Sequence, residues 1–183
     1  RISKRLEKRQ RTEKFHAYGK SWYNGEKIQE QEDAVMIQIR EAKAEDQNEV
    51  ARLIEQLEEA PVHREALNAV YQENLNNPQI AYQIALSEGK ICGFVSVHIQ
   101  KLLHHTAPIA EIQELVVDEK CRGQGVGKLL FGKAKEIAAK AGCPQLECAC
   151  NQRRTASHAF YKKQGMTCRH FKFTLPLHSE TEE

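Results

Sequence analysis

The regular hydrophobic pattern of the chain begins at Met36, with a strand-like alternation followed by a helical repeat. Ile37 and Ile39 alternate with polar residues, which predicts a short strand. The next apolar positions recur at helical spacing, and Pro61 ends the helix that they predict. Those positions are Val50, Leu53, Ile54 and Leu57. A second helix is predicted over 62–74, before an Asn-Asn-Pro sequence breaks it.

Three further strands are predicted in the middle of the chain. Apolar residues occupy alternate positions over 80–86 and again over 91–97, and the short Ser-Glu-Gly-Lys turn between them predicts an antiparallel hairpin. A loop containing His104 and His105 leads to a third strand, predicted over 110–117.

The second half of the chain predicts alternating helices and strands. A long helix follows the next glycine-rich turn and stops at Gly142, with Val126, Leu129, Leu130, Ala134, Ile137 and Ala138 on one stripe. A strand over 146–150, a helix over 154–164 and a last strand over 171–175 complete the pattern. The order β-α-α-β-β-β-α-β-α-β predicts an α/β (α+β) fold, a mixed sheet with helices on its faces.

Composition and charge divide the chain at residue 35. Its 183 residues are 40% hydrophobic and 28% charged, which suits one domain with an appendage. Residues 1–35 carry nine Lys or Arg against six Asp or Glu, whereas the remainder has a balance of −1. We therefore predict a basic, poorly ordered leader over 1–35, a folded domain over 36–178 and an acidic tail over 179–183. The near-neutral domain argues against nucleic-acid binding, and no apolar run is long enough to span a membrane.

The six cysteines favour reduced thiols over a disulfide framework or a zinc site. None forms a Cys-x-x-Cys pair, so the ligand spacing of a structural zinc site is missing. Several lie in apolar strand patterns, where a free cysteine behaves as a small hydrophobic residue. We accordingly expect a cytoplasmic protein.

The sequence from Arg122 to Gly127, Arg-Gly-Gln-Gly-Val-Gly, lies between a predicted strand and a predicted helix. Glycines let the backbone approach a ligand closely, and the start of a helix offers unpaired N–H groups to a pyrophosphate. A nucleotide-binding Walker A loop is disfavoured because Leu129 stands where a serine or threonine is required. A dinucleotide-binding turn is disfavoured because Lys128 stands in place of its third glycine.

The remaining pattern, Arg-x-x-Gly-x-Gly, resembles the GNAT superfamily of acyl-CoA N-acyltransferases. The resemblance extends from Met36 to Leu177 and includes the His-Ala-Phe-Tyr sequence that ends at Tyr161. Within that superfamily, the chain resembles the bacterial aminoalkylphosphonate N-acetyltransferases. This closer similarity rests on the segments 104–105, 110–117 and 170–174.

The resemblance implies that acetyl-CoA is the donor and that the glycine turn holds its pyrophosphate through backbone N–H groups. The residues concerned are Arg122, Gly123, Gln124, Gly125, Val126, Gly127 and Lys128. The pantetheine arm is expected to pair with the preceding strand at Leu115, Val116 and Val117. Arg122 would either contact the phosphates or pack the turn, and Asn151 would either contact the pantetheine or orient the following helix.

The chemistry implied by the resemblance is direct attack of an amine on the thioester. Glu111 is the favoured general base and Glu114 the alternative, because strict strand alternation would put the two on opposite faces. Tyr161 is expected to protonate or stabilise the departing thiolate. His104 and His105 are candidates for binding an anionic group of the acceptor or a divalent metal, although no metal-ligand spacing supports the metal. Arg169 and Lys172 are further candidates for an anionic acceptor.

We therefore predict an acetyl-CoA-dependent N-acetyltransferase that acts on a small primary amine, with an aminoalkylphosphonate as the acceptor suggested by the resemblance. Other amines remain alternatives, among them an aminoglycoside, a polyamine or a protein amine. A non-catalytic acyl-CoA sensor and an adaptor that binds through its basic leader are alternatives from other classes. The sequence leaves a homodimer open.

Overall fold

The computed structural model describes residues 21–23, 26–28 and 36–177. Strands β1 (Ser21–Tyr23) and β2 (Glu26–Ile28) pair antiparallel and were not among the predicted elements. The chain divides into two compact units, Arg1–Val35 and Met36–Glu183. The other leader residues and the acidic tail lie outside the described residues, so their predicted character stays a prediction.

The second unit is built on a five-stranded mixed sheet in the order β3-β4-β5-β6-β7. Neighbouring strands are antiparallel except β6 and β7, which are parallel. This arrangement confirms the predicted fold class. The elements are β3 (Ile37–Glu41), α1 (Gln47–Glu58), α2 (Arg64–Leu75), β4 (Ile80–Ser87), β5 (Lys90–Leu102), β6 (Ala107–Val117), α3 (Val126–Lys140), β7 (Leu146–Cys148) and α4 (Thr155–Lys163).

Helices cover both faces of the sheet, and each face has its own hydrophobic cluster. Leu130 and Phe131 of α3 pack with Val97 and Ile112 of the sheet on one face. Val50 and Leu53 of α1 pack with Tyr71, Ile84, Phe94 and Val116 on the other. We call these the α3/α4 face and the α1/α2 face. The two clusters show which way each strand residue points, and this assignment determines the orientation of the candidate catalytic side chains.

Local hydrogen bonds fix the ends of the helices. Asp46 is buried directly before α1, where its carboxylate accepts hydrogen bonds from Arg40 Nη1 at 2.7 Å and from the Lys43 backbone N–H at 2.8 Å. The hydrogen bond from Arg40 outweighs the effect of burial and lowers the pKa of Asp46. Near the C-terminal end of α3, Gly142 has φ +69°, a conformation that glycine adopts without strain.

Two predictions of local structure are wrong. Residues 166–176 form neither strand nor helix, and Phe171, Phe173 and Leu175 are 79%, 92% and 80% exposed. Alternation is insufficient here because a strand also needs a neighbour to share its backbone hydrogen bonds. On α3, Leu129 is 46% exposed although the stripe included it, whereas Phe131 is buried. Phe131 is covered by α4, whose Phe160 ring lies 6.1 Å away.

Gly93 allows β5 to pass close to the start of α3. A substitution at this position tests how tightly the two elements pack. A Cβ at Gly93 would lie 2.9 Å from Leu130 Cδ1 and 3.1 Å from the Val116 carbonyl oxygen. We expect Gly93→Ala to lower the free energy of unfolding by about 1–3 kcal/mol through overpacking. Gly132→Ala is the matched control, because Gly132 lies within α3 with open space around it. Gly132→Ala should stabilise the helix by about 1 kcal/mol. The free energies of unfolding are measured by chemical denaturation, and equal changes in the two variants would contradict the packing argument.

Candidate active site

The glycine turn carries a row of backbone N–H groups that have no hydrogen-bond partner among the described residues. Gly123 and Gly125 have φ of +79° and +83°, in the left-handed region that glycine tolerates, and α3 begins directly afterwards. Within the described chain, the N–H groups of residues 123–128 make no hydrogen bond of ordinary geometry. These donors lie at the positive end of a 15-residue helix. The turn can therefore bind an anion through its backbone, as a diphosphate requires.

Beside the turn, the edge of β6 is open where β7 has already ended. The two strands pair only over residues 110–112 and 146–148. The Asp118 N–H points toward β5, where it donates to the Cys92 carbonyl at 2.9 Å. In an antiparallel pair, the backbone groups of successive residues point alternately toward and away from the partner strand. The N–H and C=O groups of Val117 and Leu115 therefore point away from β5, toward the open edge. The Val117 carbonyl accepts a hydrogen bond from Arg122 Nε at 3.3 Å. An extended ligand arm could pair with the remaining groups of this edge, as a further strand would.

A β-bulge brings Glu111 and Glu114 to the same face of the sheet, so the expectation of opposite faces is wrong. Glu111 lies opposite His98 and Glu114 opposite Ser96, with the register shifting between these pairs so that Gln113 has no partner. His98 and Ser96 are two residues apart on β5 and share a face. The extra residue, Gln113, shifts the alternation by one position, so that the side chains of Glu111 and Glu114 point to the same face.

The packing of neighbouring residues confirms this orientation. Ala110 and Ile112 belong to the same cluster as Leu115 and Val117, on the α3/α4 face. Val116 belongs to the cluster on the other face. Both glutamates therefore lie on the α1/α2 face, and both are positioned on the side of the sheet where an acceptor amine could meet a carboxylate.

Register brings further polar residues beside the two glutamates. Glu147 of β7 lies next to Glu111, and its carboxylate Oε1 is 3.7 Å from His105 Nε2. The His104 and His105 rings lie 4.2 Å apart. The predicted histidine pair is therefore next to Glu147, which in turn lies beside Glu111. Sequence reasoning missed Glu147, because only the parallel register between β6 and β7 reveals this neighbour. Among the residues that the structure describes, no group of three His, Cys, Asp or Glu side chains is placed to hold a metal ion.

Ser96 and Tyr82 form the row beside Glu114. Ser96 is fully buried, and its hydroxyl has no hydrogen-bond partner within the described chain. Tyr82, opposite Ser96, accepts a hydrogen bond from Asn74 Nδ2 at 2.6 Å. Burial raises the pKa of the Tyr82 phenol, and the Asn74 contact only partly offsets this effect. Glu114 thus lies in a row with two hydroxyl groups, whereas Glu111 lies between His98 and Glu147.

Tyr161 lies on α4, against α3 and the end of β7. Its ring centroid lies 5.2 Å from that of Phe160 and 6.3 Å from that of Phe131. Burial strongly raises the pKa of the Tyr161 phenol, and the neighbouring thiols of Cys148 and Cys150 raise it further. Burial also raises the pKa of Cys148 to about 11. Tyr161 is therefore a firmly protonated hydroxyl, better suited to donating a hydrogen bond than to releasing its proton.

The other predicted residues serve local structure or stand apart. Arg122 folds back on Val117, with Nη2 3.8 Å from Glu119, a geometry that packs the turn. Asn151 precedes α4, where its side-chain oxygen accepts from the Arg153 N–H at 3.0 Å, a contact within the turn that leads into the helix. Arg169 and Lys172 are exposed on the irregular C-terminal segment. The structure does not bring these two to the glutamates by any contact.

Sequence comparison shows the family to which this site belongs. Residues 40–166 match the acetyltransferase (GNAT) family, and the chain belongs to it. It is 36% identical over 151 residues to the aminoalkylphosphonate N-acetyltransferase of Salmonella typhimurium, covering 82% of this chain and 98% of that protein. The protein is thus a GNAT N-acetyltransferase, a family that uses acetyl-CoA. No described helix is sufficiently long and apolar to cross a membrane.

Solved structures show the same fold. A putative acetyltransferase from Agrobacterium tumefaciens is 26% identical, with a TM-score of 0.68 over 76% of this chain and 99% of its own. An aminoglycoside N-acetyltransferase solved in complex with CoA has a TM-score of 0.70 at 20% identity. That similarity covers 78% of this chain and 95% of the other, and at this identity it supports the fold alone.

The family resemblance and the raised pKa of its phenol predict a role for Tyr161 in turnover rather than in donor binding. We expect Tyr161→Phe to lower kcat by about 10²-fold, since a hydrogen bond to developing thiolate charge is lost, while the KM for acetyl-CoA changes little. Tyr71→Phe is the control, because its hydroxyl donates to the Lys43 carbonyl at 2.9 Å within the α1/α2 layer. That change should affect stability but leave kcat intact. A Tyr161→Phe enzyme with normal steady-state kcat would exclude the phenol from the mechanism.

Because the two glutamates share a face, a comparison of their amide variants is needed to decide which one is the base. We expect Glu111→Gln to lower kcat/KM by about 10²-fold or more and to remove the acidic limb of its pH profile. Glu114→Gln should have the smaller effect and keep that limb. Both profiles are measured under identical conditions, with Glu119→Gln, on the exposed turn after β6, as a control for charge. Loss of the limb only in Glu114→Gln would transfer the role of the base to Glu114.

Proposed function

We propose that the chain transfers the acetyl group of acetyl-CoA to the primary amine of a small aminoalkylphosphonate. The unpaired N–H groups of residues 123–128 carry the donor half of this proposal. The acceptor half rests on the Salmonella relative, which is similar along 98% of its own length. A similarity of this extent includes the segments on both faces of the sheet.

The donor fits the residues on the α3 side of the site. The backbone N–H groups between Gly123 and Lys128 would hold the diphosphate, and the open edge at Leu115 would pair with the pantetheine arm. A Cβ added at Gly125 would meet no atom within 4 Å, so the space in front of the turn is open. Bound there, acetyl-CoA supplies the thioester that an amine can attack.

The acceptor amine requires a base because it is protonated in solution. With an amine pKa of about 10, only about 0.1% is neutral at pH 7, a cost of about 4 kcal/mol. Glu111 takes the proton from the ammonium group, directly or through a water molecule, and Glu114 adds negative charge that attracts the cation. Tyr161 then donates a hydrogen bond to the leaving thiolate sulfur, which its protonated state allows.

The anionic end of the acceptor would be recognised by the histidine pair. His104 and His105 lie at the end of the β5–β6 hairpin, where His105 Nε2 is 3.7 Å from Glu147 Oε1. A protonated histidine can donate hydrogen bonds to phosphonate oxygens, as can Arg169 or Lys172. In this proposal the ammonium group binds at the carboxylates and the phosphonate binds at the histidine pair.

An acceptor panel tests the proposal. Aminomethylphosphonate and 2-aminoethylphosphonate are compared with ethylamine, taurine, a polyamine and an aminoglycoside. Turnover is followed through thioester absorbance, because the six free cysteines would react with a thiol reagent. We expect kcat/KM for an aminoalkylphosphonate to exceed that for ethylamine by about 10²-fold, as expected for loss of a charged contact. A polyamine or an aminoglycoside as the best acceptor would refute the proposed substrate class.

Gly125→Val separates donor binding from acceptor choice in the same assay. A β-branched residue is strained at φ +83°, so we expect the turn to lose its shape and CoA affinity to fall by at least about tenfold. Gly142→Val is the matched control, because Gly142 has φ +69° and follows the opposite end of α3 from the turn. Normal calorimetric affinity of Gly125→Val for CoA would contradict the assignment of the turn.

A further inference from the structure

Asp118, where β6 passes into the glycine turn, has a buried carboxylate with both oxygens hydrogen-bonded. Oδ1 accepts from the Lys120 N–H at 3.0 Å, and Oδ2 accepts from Arg52 Nη1 at 2.5 Å. Gln56 Nε2 lies 3.5 Å from the same Oδ2. Burial opposes ionisation, but the hydrogen bonds from Arg52 and Lys120 outweigh it and lower the pKa of Asp118. The group is therefore a carboxylate held in one orientation.

Arg52 brings this contact from the opposite layer of the molecule. It lies on α1, 66 residues earlier in the chain, and its Nε is held by Glu49 at 2.9 Å. The side-chain contacts of the turn itself are local, such as Gln124 Nε2 to the Lys120 carbonyl at 3.2 Å. Among the described residues, Arg52 to Asp118 is the ion pair that joins the turn to another layer. The glycines that follow offer no side chain to hold the backbone.

We propose that Arg52 is a positioning residue for the glycine turn, holding Asp118 so that the N–H groups of residues 123–128 converge on the diphosphate of CoA. The inference rests on donor binding as proposed above. A turn that is already ordered loses less conformational freedom when it binds, so its affinity is higher. Without Arg52, the buried carboxylate keeps only the Lys120 N–H and the distant Gln56 amide.

Calorimetric titration of the full chain with CoA tests this role. We expect Arg52→Met to raise the Kd for CoA by about tenfold, through loss of preorganisation, while Arg52→Lys keeps the Kd within about threefold. Asp118→Asn, a second variant that keeps the Lys120 hydrogen bond, should resemble Arg52→Met. The double variant should be no weaker than either single one, because both changes remove the same contact.

Arg64→Met is the matched control for a general loss of stability. Arg64, the first residue of α2, pairs with Glu55 of α1 at 2.5 Å. We expect it to leave the Kd within about twofold. A folded Arg52→Met variant with an unchanged Kd, or an equal rise in Arg64→Met, would overturn the inference. A wild-type chain that binds no CoA would instead refute the proposed donor site, and the inference with it.

Discussion

The short parallel pairing of β6 with β7 is the constraint on which the candidate site depends. Three residues of each strand pair, and β6 then continues to Val117 with β5 on one side and no paired strand of the described chain on the other. The sheet is thereby left with polar backbone groups that an extended ligand can pair with at the same edge where the glycine turn begins. Full pairing of the two strands would satisfy these groups internally and close the edge.

The β-bulge opposite Ser96 and Val97 has an equally direct consequence for the chemistry. One unpaired residue, Gln113, shifts the alternation of β6, so that Glu114 joins Glu111 on the α1/α2 face. Beyond the bulge, Leu115 and Val117 keep their side chains in the α3/α4 cluster. The bulge thus keeps apolar side chains on the α3/α4 face and puts both carboxylates on the α1/α2 face. Two carboxylates on one face suit the binding of an ammonium group better than one.

Helices on both faces hold this edge in place. Because Gly93 has no side chain, β5 packs closely against α3, and Leu130 of α3 occupies the space that a Cβ at Gly93 would need. From the other face, α1 contacts the start of the turn through Arg52 and Asp118. Arg154, at the start of α4, donates a hydrogen bond to the Leu57 carbonyl at 2.6 Å. α1 is therefore in contact with both of the segments that carry the predicted donor site.

Much of the fold could be predicted because hydrophobic periodicity reflects local geometry. The helices and the strands between residues 36 and 150 lie close to their predicted ranges, although β5 ends five residues later and β6 begins three residues earlier than expected. The pair β1 and β2 was not predicted. The strand predicted over 171–175 fails for a different reason. Phe171 and Phe173 have the alternation of a strand, yet an edge must be available to pair with them, and pairing is not a local property.

For the site, the sequence alone determined the glycine turn, because a run of glycines before a helix permits a backbone conformation that few other residues adopt. Through the family resemblance it also gave Glu111 and Tyr161 as candidate catalytic residues. Only the tertiary structure decided that Glu114 shares the face of Glu111, that Glu147 lies beside it, and that Arg52 reaches Asp118. Register and contacts between layers depend on residues far apart in the chain, which no local pattern contains.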